Sequence, residues 1–391
     1  MSVYVGIDVH RKRSQVAVVD EAGQVLANRN VVNGVDTILS VIGQYPTHTP
    51  VAFEAAYGWG WLIELLDDYG YEPHLVHPTR CKAIASARLK NDKVDAAILA
   101  QLLRADLLPE AWIAPPQVRA LRALLRHRVQ LVRLRTLLRN RIHAVLADHG
   151  ADRPAGAWSG PGRDWLAALE LPPVSRAVID DCLALIDSFA PTIDRLDAEV
   201  HERAKVDPRV KVLTALPGVG EFTALVILAE VGDIARFPTA SKLAAWAGLT
   251  PTVRGSDLTV RHGHISKQGS AWLRWILCEA AQTAKRHPDF AATYTAMARR
   301  RGKKIATTAV ARKLLTRAYH LLNQADTAGR RPDQSRRPGQ SSGTRPATAG
   351  PRSKVATKAT TRTRTTPACG ARQTHSPTGT VTSPGRARIS A

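Results

Sequence analysis

Four carboxylates, Asp8, Glu54, Asp92 and Asp95, stand where chemistry could be done with them. Asp8 closes the apolar, β-branched run Val3-Tyr4-Val5-Gly6-Ile7 and is followed by Val9-His10. Burying a carboxylate at a strand end is costly unless a charge meets it. Glu54 follows a second apolar run, Pro50-Val51-Ala52-Phe53, and Asp92 and Asp95 lie three apart at a predicted helix start, on one helical face. Phosphodiester chemistry commonly uses paired divalent ions about 4 Å apart, held by a few carboxylates. Hard cations prefer oxygen ligands, so the set would suit Mg²⁺ or Mn²⁺. A plainer account stays open at this point. Asp8 could cap a turn, and Asp92 and Asp95 could compensate a helix dipole, each worth about 0.3–1 kcal/mol.

The elements that must position these acids follow from hydrophobic periodicity. Val3–Val9, Gln15–Asp20 and Gln24–Val32 read as strands, the last two joined by a tight Glu21-Ala22-Gly23 turn. A short helix is predicted over Val35–Tyr45, a strand from Pro50 to Glu54, and an amphipathic helix over Trp59–Tyr69. A fifth strand runs from Pro73 to Val76, and a helix from about Lys90. Strands and helices in this order match an RNase H-like α/β domain by analogy, which establishes no function.

The rest of the chain is basic and mostly helical. Lys plus Arg number 55 against 33 Asp plus Glu, a net charge of +22, pointing to a polyanionic partner, most often nucleic acid. Gln117 to Ala147 has eight arginines, no acid and an apolar seam, which predicts a long basic helix after Pro115-Pro116. We expect Arg126, Arg133 and Arg139 to face nucleic acid or a partner. Arg153–Gly162 reads as a linker, and Asp164–Val206 as an acidic helical hairpin or coiled coil. Leu216-Pro217-Gly218-Val219-Gly220 before helical Glu221–Val231 resembles a helix-hairpin-helix turn, in which Gly218 and Gly220 would let backbone N–H groups approach a phosphate. Arg254 and Lys267, around a loop or small hairpin over Thr250–His264, are further nucleic-acid candidates. A last helix spans Lys303–Asn323. From Thr327 onward 13 Lys or Arg stand against one Asp, and the composition predicts disorder. No long run escapes interruption by charge, proline or glycine, and no basic-then-apolar segment opens the chain, so we expect no membrane anchor and a cytoplasmic location. Cys81, Cys182, Cys278 and Cys369 show no zinc or disulfide spacing.

Taken together, Gly6-Ile7-Asp8-Val9-His10, Phe53-Glu54-Ala55, Lys90-Asn91-Asp92-Lys93-Val94-Asp95-Ala96, Leu216-Pro217-Gly218-Val219-Gly220, Ala247-Gly248-Leu249-Thr250-Pro251 and Gly263-His264-Ile265-Ser266-Lys267-Gln268-Gly269 resemble the insertion-sequence 110 family of transposases. The resemblance runs from about residue 3 to about residue 322. It implies a RuvC-like DEDD domain and a DNA recombinase that excises and inserts its element. It also implies guidance by a structured RNA and a site assembled between subunits of a homo-oligomer. Asp8, Glu54, Asp92 and Asp95 fall on the DEDD metal positions. Ser256 falls on the serine held to attack the phosphate and form a covalent protein–DNA intermediate. Asp257 stands where the family usually has glycine.

The resulting expectation is a catalytic domain over residues 1–112, a helical or coiled-coil region over 113–206, a mostly α transposase domain over 207–325 and a basic tail over 326–391. Two rivals need fewer parts. A structure-selective endonuclease of the Holliday-junction type needs the acids but not Ser256, and a basic nucleic-acid-binding protein needs neither.

Overall fold

In the computed structural model, residues 2–55, 58–84, 91–152, 154, 156, 158–256 and 259–330 are described. The N-terminal part is a five-stranded mixed sheet with helices on both faces, consistent with an RNase H-like domain. Its elements are β1 (Val3–Val9), β2 (Arg13–Asp20), β3 (Val25–Val32), α1 (Val35–Ile42), β4 (Pro50–Glu54), α2 (Gly60–Asp68), β5 (Glu72–Val76), α3 (Pro78–Ile84) and α4 (Asp92–Arg104). Strand order is β3-β2-β1-β4-β5, with β1 antiparallel to β2 and parallel to β4.

Strand alternation sorts the side chains. Val3, Val5, Ile7 and Val9 join Val51 and Phe53 in a core with Ile38 and Ile42 of α1 and Leu62 and Leu66 of α2. The opposite face takes α4, whose Leu99 and Leu102 pack with Ala52, Val76 and Cys81. Gly6 is the seat of that helix. A β-carbon there would lie 2.1 Å from the Ala96 carbonyl oxygen and 2.6 Å from the Ala100 nitrogen. Both ends of α4 are tied to the β2–β3 hairpin: Asn28 donates to the Lys93 carbonyl (3.0 Å), and Gln101 donates to the Gly23 carbonyl (2.5 Å). The short helix α3 was not legible as periodicity.

Downstream, α5 (Pro116–Asp148), α6 (Gly160–Ala168) and α7 (Pro173–Val206) form a helical layer. The acidic stretch Asp164–Val206 holds most of α6 and all of α7, with Leu166 of α6 packed on Ile179 and Ile186 of α7. Helix α7 is a single helix that runs antiparallel to α5, with Ile142, Val145 and Leu146 of α5 packed on Ile179, Cys182 and Ile186. Helix α6 begins inside the stretch read as a linker. The remaining elements are α8 (Pro208–Thr214), α9 (Glu221–Val231), α10 (Ala240–Trp246), β6 (Pro251–Ser256), β7 (Thr259–Ile265), α11 (Ala271–Ala284), α12 (Pro288–Arg301) and α13 (Lys303–Arg330). Their largest core gathers α9, α11 and α13 around Leu225, Leu277 and Leu314, and Leu125 of α5 enters it. Helix α13 continues to Arg330, past the predicted start of the tail. The rest of the tail lies outside the described residues.

Trp112 locks the junction between these parts. It lies over Gly232, where a β-carbon would meet its ring at 2.1 Å, and Arg236 stacks on it at 4.1 Å. Burial pushes Arg236 down to about 10, with neighbouring Arg122 adding to the effect. No helix among the described residues is long and apolar enough to cross a membrane.

Candidate functional site

The acids meet at the carboxyl end of the central strands, where open α/β sheets place ligands. The register pairs Gly6 with Ala52 and Ile7 with Phe53. Side chains alternate, so the next residues on the α4 face are Asp8 on β1 and Glu54 at the end of β4. Helix α4 brings its first turn to the same edge. Asn91 caps it, its side chain accepting from the Val94 N–H at 2.9 Å. Asp92 and Asp95 lie in that turn, on the face that continues into Ala96 and Leu99 against the sheet.

The tightest group is Asp8, His10 and Asp92. His10 Nε2 stands 3.2 Å from Asp8 Oδ2 and 3.3 Å from Asp92 Oδ1, and the three candidate ligand atoms lie within 4.8 Å of one another. Sequence reasoning did not assign His10 a role. The available signal was its position two residues after Asp8, which puts it on the same side of the chain. The Asn33 side chain donates to its carbonyl at 2.8 Å, and its own N–H donates to the Arg13 carbonyl at 3.0 Å. Burial pushes the Asp8 carboxyl above its ordinary value; His10 opposes the shift, and Asp92 and then Asp95 add to it. Glu54 and Asp95 both act on buried Cys81 of α3, whose thiol is pushed up first by burial and then by these two charges.

Two carboxylate oxygens and an imidazole nitrogen within this span fit a divalent cation. The partly buried Asp8, crowded by the exposed Asp92, also carries a charge that a cation would relieve.

Ser256 lies elsewhere in the chain's topology, at the end of β6, where it pairs with Thr259 in a two-stranded hairpin. Its side chain and Asp257 lie outside the described residues. Arg254 faces Arg261 across this hairpin and is exposed. Lys267 is exposed in the following turn, with a positive φ of 55°, and its N–H donates to the Gly248 carbonyl.

Gly218 has a structural reason to be glycine. Its φ is 76°, and a β-carbon would lie 2.4 Å from the Ala280 carbonyl oxygen of α11. Gly220, at the start of α9, has open space around it.

Read from sequence, Arg126, Arg133 and Arg139 of α5 face nucleic acid or a partner; in the structure each also has a partner within the protein, and Arg133 is exposed. Arg126 reaches the buried Glu230 carboxylate at 2.6 Å and lies over Trp272. Arg133 stacks on Trp272 and Trp275, and Arg139 on Trp158. Arg122 donates to the Ala229 and Glu230 carbonyls at the C-terminal end of α9, where a cation is favoured. Arg128 pairs with Asp197 of α7 at 2.7 Å. The acids that residues 117–147 lack are supplied by other elements. Arg126→Ala would leave the buried Glu230 carboxylate without its charge partner, holding only Ser270. Breaking a buried pair costs about 3–5 kcal/mol, and the half-exposed guanidinium reduces that to about 2 kcal/mol here. A lowered melting temperature with unchanged DNA affinity is expected; the reverse pattern would return Arg126 to a nucleic-acid role.

Comparison with known proteins finds transposases of insertion sequences. Residues 5–150, which hold all four acids, match a family model described as a transposase and carrying DEDD and IS110 in its name. Residues 210–296 match the model described as the transposase IS116/IS110/IS902 family. A probable family 20 transposase of Pseudomonas aeruginosa is 27% identical over 72% of this chain and 84% of its own length. The transposase for insertion sequence element IS1111A of Coxiella burnetii is 28% identical over 82% of this chain and 90% of its own length. An uncharacterised 44.8 kDa protein of insertion element IS116 in Streptomyces clavuligerus is 25% identical over 73% of this chain and 85% of its own length.

Proposed function

The chain belongs to the IS110 family of transposases, and from that premise we propose that it cuts and rejoins DNA to move an insertion sequence, using a divalent metal and Ser256 and guided by a non-coding RNA. The observation that carries the metal part is the convergence of Asp8, His10 and Asp92 within 4.8 Å at the end of the central strand. Asp8 and Asp92 are the oxygen donors that would hold the ion, with Glu54 and Asp95 beside them and His10 as a nitrogen donor. A bound divalent ion would neutralise developing charge on the transferred phosphate.

The residues do the positioning. The sheet fixes Asp8, the Gly6 seat fixes α4, and the Asn91 cap fixes the turn that carries Asp92 and Asp95. The serine part rests on the match of residues 210–296 to the family, and the RNA part on the sequence resemblance alone. In the serine step the Ser256 oxygen–phosphorus bond forms as one phosphodiester P–O bond breaks. The serine proton is lost to a base, and the departing DNA oxygen leaves as a hydroxyl. A homo-oligomer would allow a neighbouring subunit to contribute the serine.

Ser256→Ala is the direct test. It is expected to abolish a denaturation-resistant protein–DNA adduct on element-end DNA. The rise in melting temperature on adding divalent metal should remain, because the acids are untouched. An adduct that survives the substitution removes Ser256 from the mechanism.

A further inference from the structure

We propose that the corner between α12 and α13 is a surface that grips the phosphate backbone of duplex DNA without reading its sequence; the choice of DNA rests on the transposase reading. The corner is Arg299-Arg300-Arg301-Gly302-Lys303-Lys304, five cations in six residues, all exposed. Their charge is not answered locally. Between Asp289 and Asp326 the chain has no acidic residue at all. Among the described residues none of the five makes an ion pair or stacks on an aromatic ring, in contrast to the arginines of α5.

Helix electrostatics accounts for only part of the cluster. Arg299, Arg300 and Arg301 occupy the last turn of α12, where cations complement the negative end of the dipole. Lys303 and Lys304 occupy the first turn of α13, the positive end, in a turn with no acid. There they destabilise the helix, and they also repel the three arginines before them. A solvated face gains nothing from that arrangement, whereas a polyanion crossing the corner would gain from all five charges.

Gly302 makes the turn at φ 88°, with nothing within 4 Å of where a β-carbon would point. Farther along the two helices, Arg317 pairs with Asp289 at 2.5 Å and lies over the buried Phe290, and Lys313 donates to Thr293 at 2.9 Å. The cations thus project from the bend of a packed helical hairpin, where phosphate contacts would position a duplex without reading it.

The test is fluorescence anisotropy of the full chain with a short random-sequence duplex DNA over a range of salt concentrations, comparing wild type with Lys303→Ala/Lys304→Ala and with Arg299→Ala/Arg300→Ala. Affinity should fall about tenfold at moderate salt for each double variant, and the slope of log K against log salt should flatten by about 0.9 for every phosphate no longer neutralised. Lys303→Ala/Lys304→Ala should meanwhile melt at the same or a higher temperature, because it removes cations from the wrong end of a helix. Wild-type affinity and slope in both variants would overturn the proposal, as would loss confined to a single-stranded RNA probe. A lowered melting temperature in the lysine variant would overturn the electrostatic argument behind it. Absence of DNA binding by the wild type would instead count against the transposase reading.

Discussion

Asp8→Asn is expected to reduce DNA strand cleavage by at least about a thousandfold, the equivalent of the several kcal/mol that a metal ion contributes to phosphoryl transfer. The fold should not suffer. Asp8 is largely buried beside His10 and Asp92, and burial holds its folded pKa above the ordinary value of 3.8. The sign of the stability effect follows. A carboxyl with a raised folded pKa binds its proton more tightly in the folded chain. Its stabilising contribution is complete below the unfolded value and is lost as pH rises through the folded one. At neutral pH the ionised Asp8 is therefore a net burden on the metal-free protein, and the neutral amide removes it. The metal-free variant should melt at the same or a higher temperature than wild type. Divalent metal should reverse that order. Ligand at a hundred times its dissociation constant stabilises by about 2.7 kcal/mol, a gain that wild type would show and the variant would lose. Cleavage persisting in Asp8→Asn would rule out the metal-centre assignment, and a metal-induced shift equal to wild type would move the ion elsewhere.

Gly6→Ala should produce a large loss of stability from a single added methyl group. The new carbon would lie 2.1 Å from a carbonyl oxygen and 2.6 Å from an amide nitrogen of α4, both backbone atoms that no rotamer change can move aside. Overpacking a core costs about 1–3 kcal/mol, and a backbone collision belongs at the upper end. At that size the melting temperature would drop by several degrees. The same displacement would lift Asp92 and Asp95 away from Asp8, so the divalent-metal shift should shrink in parallel. Gly60→Ala is the matched control in the same sheet domain. Its β-carbon would find its nearest neighbour, Arg119 Nη1, at 3.7 Å, and replacing glycine there reduces unfolded-state entropy. It should be neutral or slightly stabilising. Equal behaviour of the two variants would mean that α4 does not depend on the Gly6 seat.

Much of the site was legible because strand periodicity is local. The run Val3–Val9 and the run Pro50–Glu54 declare themselves as strands, the first with Asp8 next to its end and the second ending on Glu54. Asn91 before Asp92 and Asp95 announces a helix start. These features determined the kinds of ligand available, the elements that carry them and the α/β order of the N-terminal part. They also sufficed for the family resemblance that the family models then matched.

What only the tertiary structure decided depends on contacts distant in sequence. Local charge counting placed the arginines of α5 toward nucleic acid, because no acid lies within reach along that helix. In three dimensions Glu230 and Asp197 come from other helices, and Trp158, Trp272 and Trp275 supply aromatic faces. The reverse holds at the α12–α13 corner, whose cations acquire no such partners among the described residues. Gly218 and Gly220 look alike in the sequence, yet only Gly218 is pressed against another helix. At the opening strand, the sequence by itself determined that Asp8 and His10 would share one side of the chain. That Asp92 closes on both was decided by Gly6, two residues before Asp8, whose missing side chain lets α4 pack directly on the sheet.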